Sequence, residues 1–193
     1  MDAIEVLKSD HDKARELFLE FRAASSDGDT EKMADVTERI FRELELHTEI
    51  EERVFYPAVK EAGGSELADQ TDESNEEHHV VDVLMGEVRA LDPSDDAYAA
   101  KMKVLIENVE HHASEEEKEM FPKVRNLFSD EKLSELGAAL QREKQVVRVE
   151  KMTVEDLHEA AAQLEIDGRS GMNRSELASA VLGTLTGGST ENV

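Results

Sequence analysis

The segments HTEIEERVFYPAV (residues 47–59) and HASEEEKEMFPKV (residues 112–124) are two copies of one pattern. Each copy begins with His, has Glu four residues later, Pro ten residues after the His and Val twelve residues after it. A weaker pair, HDKARELF (residues 11–18) and HHVVDVLM (residues 78–85), shares His, an apolar residue three positions on and Leu six positions on. The chain therefore contains two similar hairpins, as expected for a four-helix bundle.

Apolar residues at helical spacing predict four long helices, at about residues 2–25, 30–61, 73–91 and 95–127. The connections between them are short and contain turn formers, including Gly63-Gly64 and Asp92-Pro93. Short connections place long helices antiparallel, so we expect an all-α fold built on an up-down-up-down four-helix bundle.

Beyond the bundle, Ser129 followed by two acidic residues predicts the start of a fifth helix. This helix continues into a charged stretch, and a separate small helical module with its own apolar residues follows. We therefore predict a bundle domain, a fifth helix with a charged linker, a C-terminal helical module and a disordered tail, at residues 1–128, 129–151, 152–185 and 186–193.

The composition limits the function classes. The 193 residues carry 46 acidic and 22 basic side chains, a formal charge of −24, which disfavours binding to nucleic acid or to anionic lipid. The absence of cysteine excludes disulfides and thiolate ligands. No apolar stretch approaches the roughly 20 residues of a membrane span, and the charged N-terminus does not resemble a signal peptide, so we expect a cytoplasmic location.

Each predicted helix has a histidine inside its apolar stripe, and the second and fourth helices add a glutamate one turn further on. These stripe residues are His11, His47, Glu51, His78, His112 and Glu116. At about 1.5 Å per residue, the first two histidines lie about 21 and 25 Å from the turn that joins their helices. The other two lie at a similar level, so all six side chains are expected to converge.

Buried carboxylates of this kind need a cation nearby, because uncompensated buried charge is costly. Two metal ions would supply it, and mixed nitrogen and oxygen ligands favour iron over manganese or zinc. Six side chains leave positions free for an oxo or hydroxo bridge and for a small ligand. The alternative hypothesis is a core without metal, in which each histidine is hydrogen-bonded to a carboxylate or carbonyl. This hypothesis explains one inward histidine better than it explains four.

The H…HxxxE…H…HxxxE pattern, with Pro six residues after each Glu, resembles the hemerythrin HHE cation-binding family over about residues 3–125. The resemblance implies a non-haem di-iron site with the six stripe residues as ligands. Hemerythrin proper has a fifth histidine where this chain has Asp82, which is therefore a candidate ligand of different charge. Tyr56 is another candidate, although an ideal helix points it away from His47 unless Pro57 distorts the turn. The histidines next to the stripe, His79 and His111, are expected at the surface.

Residues 152–182 resemble the N-terminal helical module of the Rho factor, which is related to the SAP fold, through T-V-E-D-L, L-E-I-D-G-R-S-G-M and R-S-E-L. Thr153 and Asp156 predict a capping box, and Ser175 a cap for the last helix. Residues 150–185 hold seven acidic and three basic side chains, which favours a protein-docking or purely structural role over nucleic acid binding.

Three functions remain open at this point. The resemblance implies a protein that binds, senses or reacts with O₂, peroxide or nitric oxide, and it leaves enzymatic activity, such as peroxide breakdown, undecided. The second hypothesis is a non-catalytic iron sensor or store that signals to a protein partner through the C-terminal module. The third is a nucleic-acid-associated regulator, which the negative charge disfavours.

Overall fold

The computed structural model describes residues 1–187, which contain helices and turns but no strand. The helices are α1 (Ala3–Asp27), α2 (Thr30–Ile50), α3 (Tyr56–Ala62), α4 (Gly64–Arg89), α5 (Asp96–Glu115), α6 (Phe121–Leu127), α7 (Asp130–Lys151), α8 (Val154–Gln163) and α9 (Arg174–Leu185). Two five-residue π-helical turns, Glu51–Phe55 and Glu116–Met120, join α2 to α3 and α5 to α6. The all-α prediction is confirmed.

Capping residues define both ends of α1 and the start of α2. At the start of α1 the Asp2 carboxylate accepts a hydrogen bond from the Glu5 amide, and the Glu5 carboxylate accepts one from the Asp2 amide. The helix ends at Gly28, whose φ of 69° is in the left-handed region that glycine adopts at little cost. The Asp29 side chain then caps α2. This tight turn leaves α1 and α2 antiparallel.

The helices pack as the predicted bundle. α1 packs against α2 and α5, and α4 packs against α3 and α5. One apolar cluster lies on the part of α1 that follows His11 and the part of α2 that precedes His47, and its largest buried side chains include Phe18, Phe41 and Met102. Further apolar side chains are buried on the other side of the histidines, in the first turns of α1 and in α3, so the histidines lie between two apolar parts of the interior.

The third helix of the bundle starts at Gly64, about nine residues earlier than the apolar pattern predicts. The buried side chains in its first turns include Leu67, Thr71 and Ser74, of which two are polar. Because the buried face there is small and polar, hydrophobic periodicity gives no signal, although the residues are helical.

The described chain divides into two compact units, Met1–Ala138 and a second unit that starts at Ala139, so the boundary falls inside α7. In the first unit, α7 passes close to the N-terminus: a β-carbon on Gly137 would lie 2.5 Å from the carbonyl oxygen of Met1. The predicted divisions after residues 128 and 151 stay predictions.

The second unit has a small core of its own, formed by Val149, Leu157, Ala161, Leu177 and Val181. The predicted capping box at the start of α8 is present between Thr153 and Asp156. The predicted cap of α9 is wrong by two residues.

That cap is Asn173, whose side chain accepts hydrogen bonds from the amides of Ser175 and Glu176. Ser175 therefore lies within the first turn of α9 and serves as a donor. Of the predicted disordered tail, residues 188–193 lie outside the described residues. Within residues 1–187, no helix combines the length and the apolar character needed to cross a membrane.

Candidate metal centre

All six stripe residues are buried and come together at one level of the bundle. The histidines lie in α1, α2, α4 and α5, and each glutamate is the first residue of a π-helical turn. Their exposed fractions range from 0% for Glu51 to 7% for His47. The six are His11, His47, Glu51, His78, His112 and Glu116.

The four imidazoles form two matched pairs, one from each hairpin. The Nε2 atoms of His11 and His47 are 3.1 Å apart, and those of His78 and His112 are also 3.1 Å apart. Within each pair the rings meet edge to face, with centroids 4.8 and 4.7 Å apart. Each hairpin therefore presents two ring nitrogens at one point.

The glutamates lie between the two histidine pairs. Glu51 Oε2 is 3.2 Å from Nε2 of His47, in its own hairpin, and 3.5 Å from Nε2 of His78, in the other. Glu116 occupies the equivalent position in the second hairpin. One oxygen of the carboxylate, Oε2, therefore lies between the two pairs.

The second glutamate has the same kind of neighbours. Glu116 Oε2 lies 3.2 Å from His11 Nε2 and 3.7 Å from His112 Nε2. Glu51 Oε1 and Glu116 Oε2 are both buried, and neither has a hydrogen-bond partner. Two buried carboxylates facing imidazole nitrogens are a costly arrangement without a cation and a suitable one for a metal with mixed nitrogen and oxygen ligands. These residues therefore fit a bound metal.

Protonation in the metal-free protein is uneven. Burial and the negative charge of Glu116 raise the pKa of Glu51 well above its ordinary value. Burial also opposes ionisation of Glu116, but the imidazoles of His112 and His11 lower its pKa to about 2. Burial lowers the pKa of His47 to about 4, which keeps this imidazole neutral and its nitrogen available. In the metal-free protein the protonated form of Glu51 and the ionised form of Glu116 are therefore favoured.

A carboxylate faces the Nδ1 atom of each histidine. The pairs are Glu117 with His11 at 2.8 Å, Glu52 with His78 at 2.9 Å, Glu77 with His112 at 2.7 Å and Asp10 with His47 at 3.5 Å. A proton held on Nδ1 leaves the Nε2 lone pair free for a metal and fixes the ring orientation.

Sequence reasoning missed these four carboxylates, although each directly precedes or follows a stripe residue. Asp10 and Glu77 precede matched histidines, and Glu52 and Glu117 follow the matched glutamates. The signal was therefore present in the repeat: an acidic residue beside the stripe in both hairpins.

The π-helical turn brings Tyr56 into the centre. A π-turn contains more residues than an α-turn and so rotates the chain that follows it. The Tyr56 hydroxyl donates to Glu116 Oε1 at 2.9 Å and lies 3.4 Å from both Glu51 Oε2 and His78 Nε2. Burial raises the pKa of Tyr56 well above its usual range, which keeps the phenol protonated in the metal-free protein.

The second hairpin has Phe121 at the equivalent position. Its ring stacks on His11 at a centroid distance of 5.9 Å, as Tyr56 stacks on His78 at 5.6 Å. The two halves therefore match in packing, but only the first contributes a hydroxyl. One aromatic ring beside the centre, Tyr56, is therefore polar, and the other, Phe121, is apolar.

The other candidate residues lie away from the cluster. Asp82 is exposed and belongs to none of the groups whose ligand atoms converge among the described residues. Burial by neighbouring atoms and the charge of Glu52 raise the pKa of Asp82. His79 and His111 are exposed, as predicted.

Two cavities adjoin the centre on opposite sides along the bundle axis. An apolar cavity of about 30 Å³ lies toward the α1–α2 turn, against all four histidines, and its apolar lining includes Ala14, Phe18, Leu44, Val81, Val109 and Ala113. A polar cavity of about 50 Å³ lies on the other side, along residues that precede His78 and follow His112. The centre is thus approached by an apolar and a polar path.

Residues 2–124 match the hemerythrin HHE cation binding domain, and residues 150–188 match the N-terminal domain of the Rho termination factor. A relative named DNA nickase, from Nostoc sp. strain PCC 7120, is 26% identical over 148 residues, which are 77% of this chain. The chain spans only 40% of that relative's length.

The fold is similar to the crystal structure of a hemerythrin HHE cation binding domain-containing protein from Mycobacterium kansasii. The TM-score is 0.65 at 24% identity, over 93% of this chain and 99% of that one. The family match extends over most of the chain and over all six residues of the buried cluster. The chain therefore belongs to the hemerythrin HHE cation binding domain family.

Proposed function

We propose that the chain binds two iron ions, for which the two histidine pairs and both glutamates would supply the ligands. The carrying observation is that each glutamate lies within 3.7 Å of a histidine from both pairs. Two groups of ligand atoms support the proposal, His11, His47, Glu51 and Glu116 in one and Glu51, His78 and His112 in the other. Mixed nitrogen and oxygen donors suit iron, and also manganese or zinc less well.

We further propose that this centre binds, senses or reacts with a small oxygen or nitrogen species such as O₂, peroxide or nitric oxide. The apolar cavity supports this, because a wall built from side chains such as Phe18, Leu44 and Val81 admits a small neutral molecule more readily than an ion. When bound, a pair of ferrous ions supplies the electrons for reduction of such a molecule.

The protein's own residues have definite roles in this proposal. The carboxylates at the Nδ1 atoms hold each imidazole in one orientation, so the nitrogens stay aimed at the centre. Tyr56 holds a proton donor 2.9 Å from Glu116 and is also a candidate ligand as phenolate. Asp82, exposed as it is, remains the weaker of the two candidate ligands.

Anaerobic iron loading tests the proposal, followed by separate exposure to O₂, peroxide and nitric oxide with the visible spectrum recorded. We expect about two irons per chain and a spectral change with at least one of these molecules. Binding of a single zinc ion without iron uptake would contradict the metal assignment. Iron uptake with no response to any of the three would favour the alternative, an iron sensor or store that acts on a protein partner.

Two valines of α4 provide a variant that tests the role of the apolar cavity and a matched control. Val81 lines it and is 4% exposed, whereas Val83 is 49% exposed. Val81→Phe should keep two irons and slow the spectral response, although filling a packed site costs about 1–3 kcal/mol of stability. Val83→Phe should leave the response unchanged. Equal responses in the two variants would show that the apolar cavity is not the path of the ligand.

A nucleic-acid-associated role is the second candidate, and two observations favour it: the match to the Rho domain and the relative named DNA nickase. The net charge of −24 weighs against it. Fluorescence anisotropy with single- and double-stranded DNA at physiological salt, and a plasmid nicking assay, would decide. Sub-micromolar binding or nicking would make this candidate the leading one.

A further inference from the structure

The position one helical turn after the first histidine of each hairpin carries opposite charges. It is the fifth residue of the matched segments 11–18 and 78–85, and it is Arg15 in the first hairpin and Asp82 in the second. We call the histidine pair of each hairpin, with the carboxylates that face its Nδ1 atoms, the first half and the second half of the centre. The repeat therefore brings matching ligands together but places unlike charges beside them.

Arg15 is held against the carboxylate that orients His11. Its guanidinium lies 2.8 Å from Glu117 Oε1, and the same oxygen lies 2.8 Å from His11 Nδ1. A second ion pair, with Asp12 at 2.9 Å, fixes the other side of the guanidinium. A positive charge that shares the acceptor oxygen weakens the negative charge felt by the imidazole. The free nitrogen of His11 is therefore a weaker donor to a metal than it would be with Glu117 alone.

Asp82 acts in the opposite direction on the second half. The carboxylate that orients His78 is Glu52, at 2.9 Å from Nδ1. Asp82 follows His78 by one turn of α4, so it lies on the same side of the helix. Burial by neighbouring atoms and the negative charge of Glu52 raise the pKa of Asp82, which shows that the two carboxylates interact. Two negative charges therefore lie behind His78.

The second histidine of each pair differs in the same direction, and this observation is independent of Arg15 and Asp82. Glu77 Oε2 lies 2.7 Å from His112 Nδ1. In the first half the corresponding distance, from Asp10 Oδ2 to His47 Nδ1, is 3.5 Å. A hydrogen bond is strong at the shorter distance and weak at the longer one. Both histidines of the second half therefore have a close carboxylate, whereas the first half has one that is shared with a cation and one that is distant.

We propose that the second half of the centre is the stronger donor and favours ferric iron, whereas Arg15 makes the first half favour ferrous iron. The inference rests on the proposed iron centre. A negative charge behind an imidazole raises the basicity of its free nitrogen, which stabilises the metal ion of higher charge. Arg15 acts through Glu117, and Asp82 acts through Glu52, so each is a positioning residue that sets the charge behind a ligand. The two halves are then oxidised in a fixed order, the second half first.

The test is a spectroelectrochemical titration of the iron-loaded full-length protein. Each step is the loss of one electron from Fe²⁺ to give Fe³⁺, and the electrode takes up the electron. The parent should show two separate one-electron steps. Asp82→Asn removes a negative charge from the half that is oxidised first. It should raise the midpoint of the first step by about 59 mV, which is a tenfold change in the ratio of ferric to ferrous affinity, and that of the second step by less.

Arg15→Gln should have the converse effect. Without the guanidinium, Glu117 acts with its full charge on the first half, so the midpoint of the second step should fall by about the same amount and that of the first step by less. Arg15→Lys keeps the positive charge and should keep the parental midpoints. This comparison separates charge from packing, because a purely structural role of Arg15 would not distinguish the two oxidation steps.

Glu76→Gln and Lys8→Gln are the matched controls. Glu76 lies on α4 with Asp82, and Lys8 lies on α1 with Arg15, and both are exposed. Each control makes the same change in net charge as its partner variant, but away from the carboxylates that orient the histidines. We expect small shifts that are equal for the two steps. A difference between the steps as large as in the partner variant would reduce the effect to general surface charge and refute the assignment.

The outcomes separate the inference from the proposed function. If the parent does not bind about two irons, the proposed function fails, and the inference with it. If it binds two irons but is oxidised in a single two-electron step, or if Asp82→Asn shifts both steps equally, the halves are equivalent and only the inference is refuted. Loss of iron in Asp82→Asn would make Asp82 a ligand and overturn its role as an outer charge. Shifts in Arg15→Lys as large as in Arg15→Gln would overturn the electrostatic role of Arg15.

Discussion

Replacement of Glu117 tests whether the carboxylates at the Nδ1 atoms hold the histidines for metal binding. Glu117 Oε1 lies 2.8 Å from His11 Nδ1 and 2.8 Å from Arg15, and its side chain is 20% exposed. A hydrogen bond to a charged group contributes about 1.5–3 kcal/mol. Glu117→Ala loses all of it, which corresponds to a loss of about 10- to 100-fold in metal affinity. Glu117→Gln keeps an acceptor but loses about half of the strength, so the loss should be about 3- to 10-fold.

The assay is competition with a chelator during anaerobic Fe²⁺ titration, with circular dichroism to check the fold. Glu107→Gln is the control. Glu107 lies in α5, which leads into the π-helical turn of Glu117, and its carboxylate is 59% exposed and 3.8 Å from Lys103. The expected order of affinity is parent and control, then Glu117→Gln, then Glu117→Ala. Unchanged affinity in Glu117→Ala would refute the orienting role, and a loss in the control of the same size would attribute the effect to net charge.

Other predictions concern the register, the pH dependence and the C-terminal unit. His112→Ala should lose metal and His111→Ala should retain its final metal content by elemental analysis; the reverse would mean a register error of one residue. Because the raised pKa of Glu51 favours its protonated form when folded, metal-free protein should lose stability as pH rises above the ordinary value of 4.5 toward that raised pKa. The gap in Tm between metal-loaded and metal-free protein, measured by calorimetry, should therefore widen as the pH approaches the raised pKa of Glu51. A constant gap would indicate a hydrated empty centre. Ending the chain after Lys144 should leave metal content unchanged, and iron loss would show that the C-terminal unit supports the centre.

The sequence was sufficient for the bundle and for the six converging side chains, because both follow from one periodicity. His11 and His78 occupy positions at which an apolar residue would continue the stripe, and burial then follows from helix geometry. The same logic separated His112 from its exposed neighbour His111. The first turns of α4 were not predicted, because Thr71 and Ser74 are buried without being apolar.

The position of Tyr56 could not be obtained in this way. Regular helical spacing points its side chain away from the histidines, and only the π-helical turn between Glu51 and Phe55 rotates it into the centre. The carboxylates that orient the histidines were not predicted for a different reason. Among 46 acidic residues, a partly exposed one such as Glu52 looks like ordinary surface charge until its distance of 2.9 Å from His78 is known.

The reciprocal placement of the two glutamates bears on how such a centre can originate. Glu51 reaches across to His78, and Glu116 reaches across to His11, so neither hairpin completes the buried cluster alone. Two copies of one ancestral hairpin, related by a twofold axis, would already bring the same donors together. A symmetric dimer of that kind must carry identical residues in both halves. Gene duplication and fusion remove this restriction, and Tyr56 opposite Phe121 is a difference that only the fused chain can have.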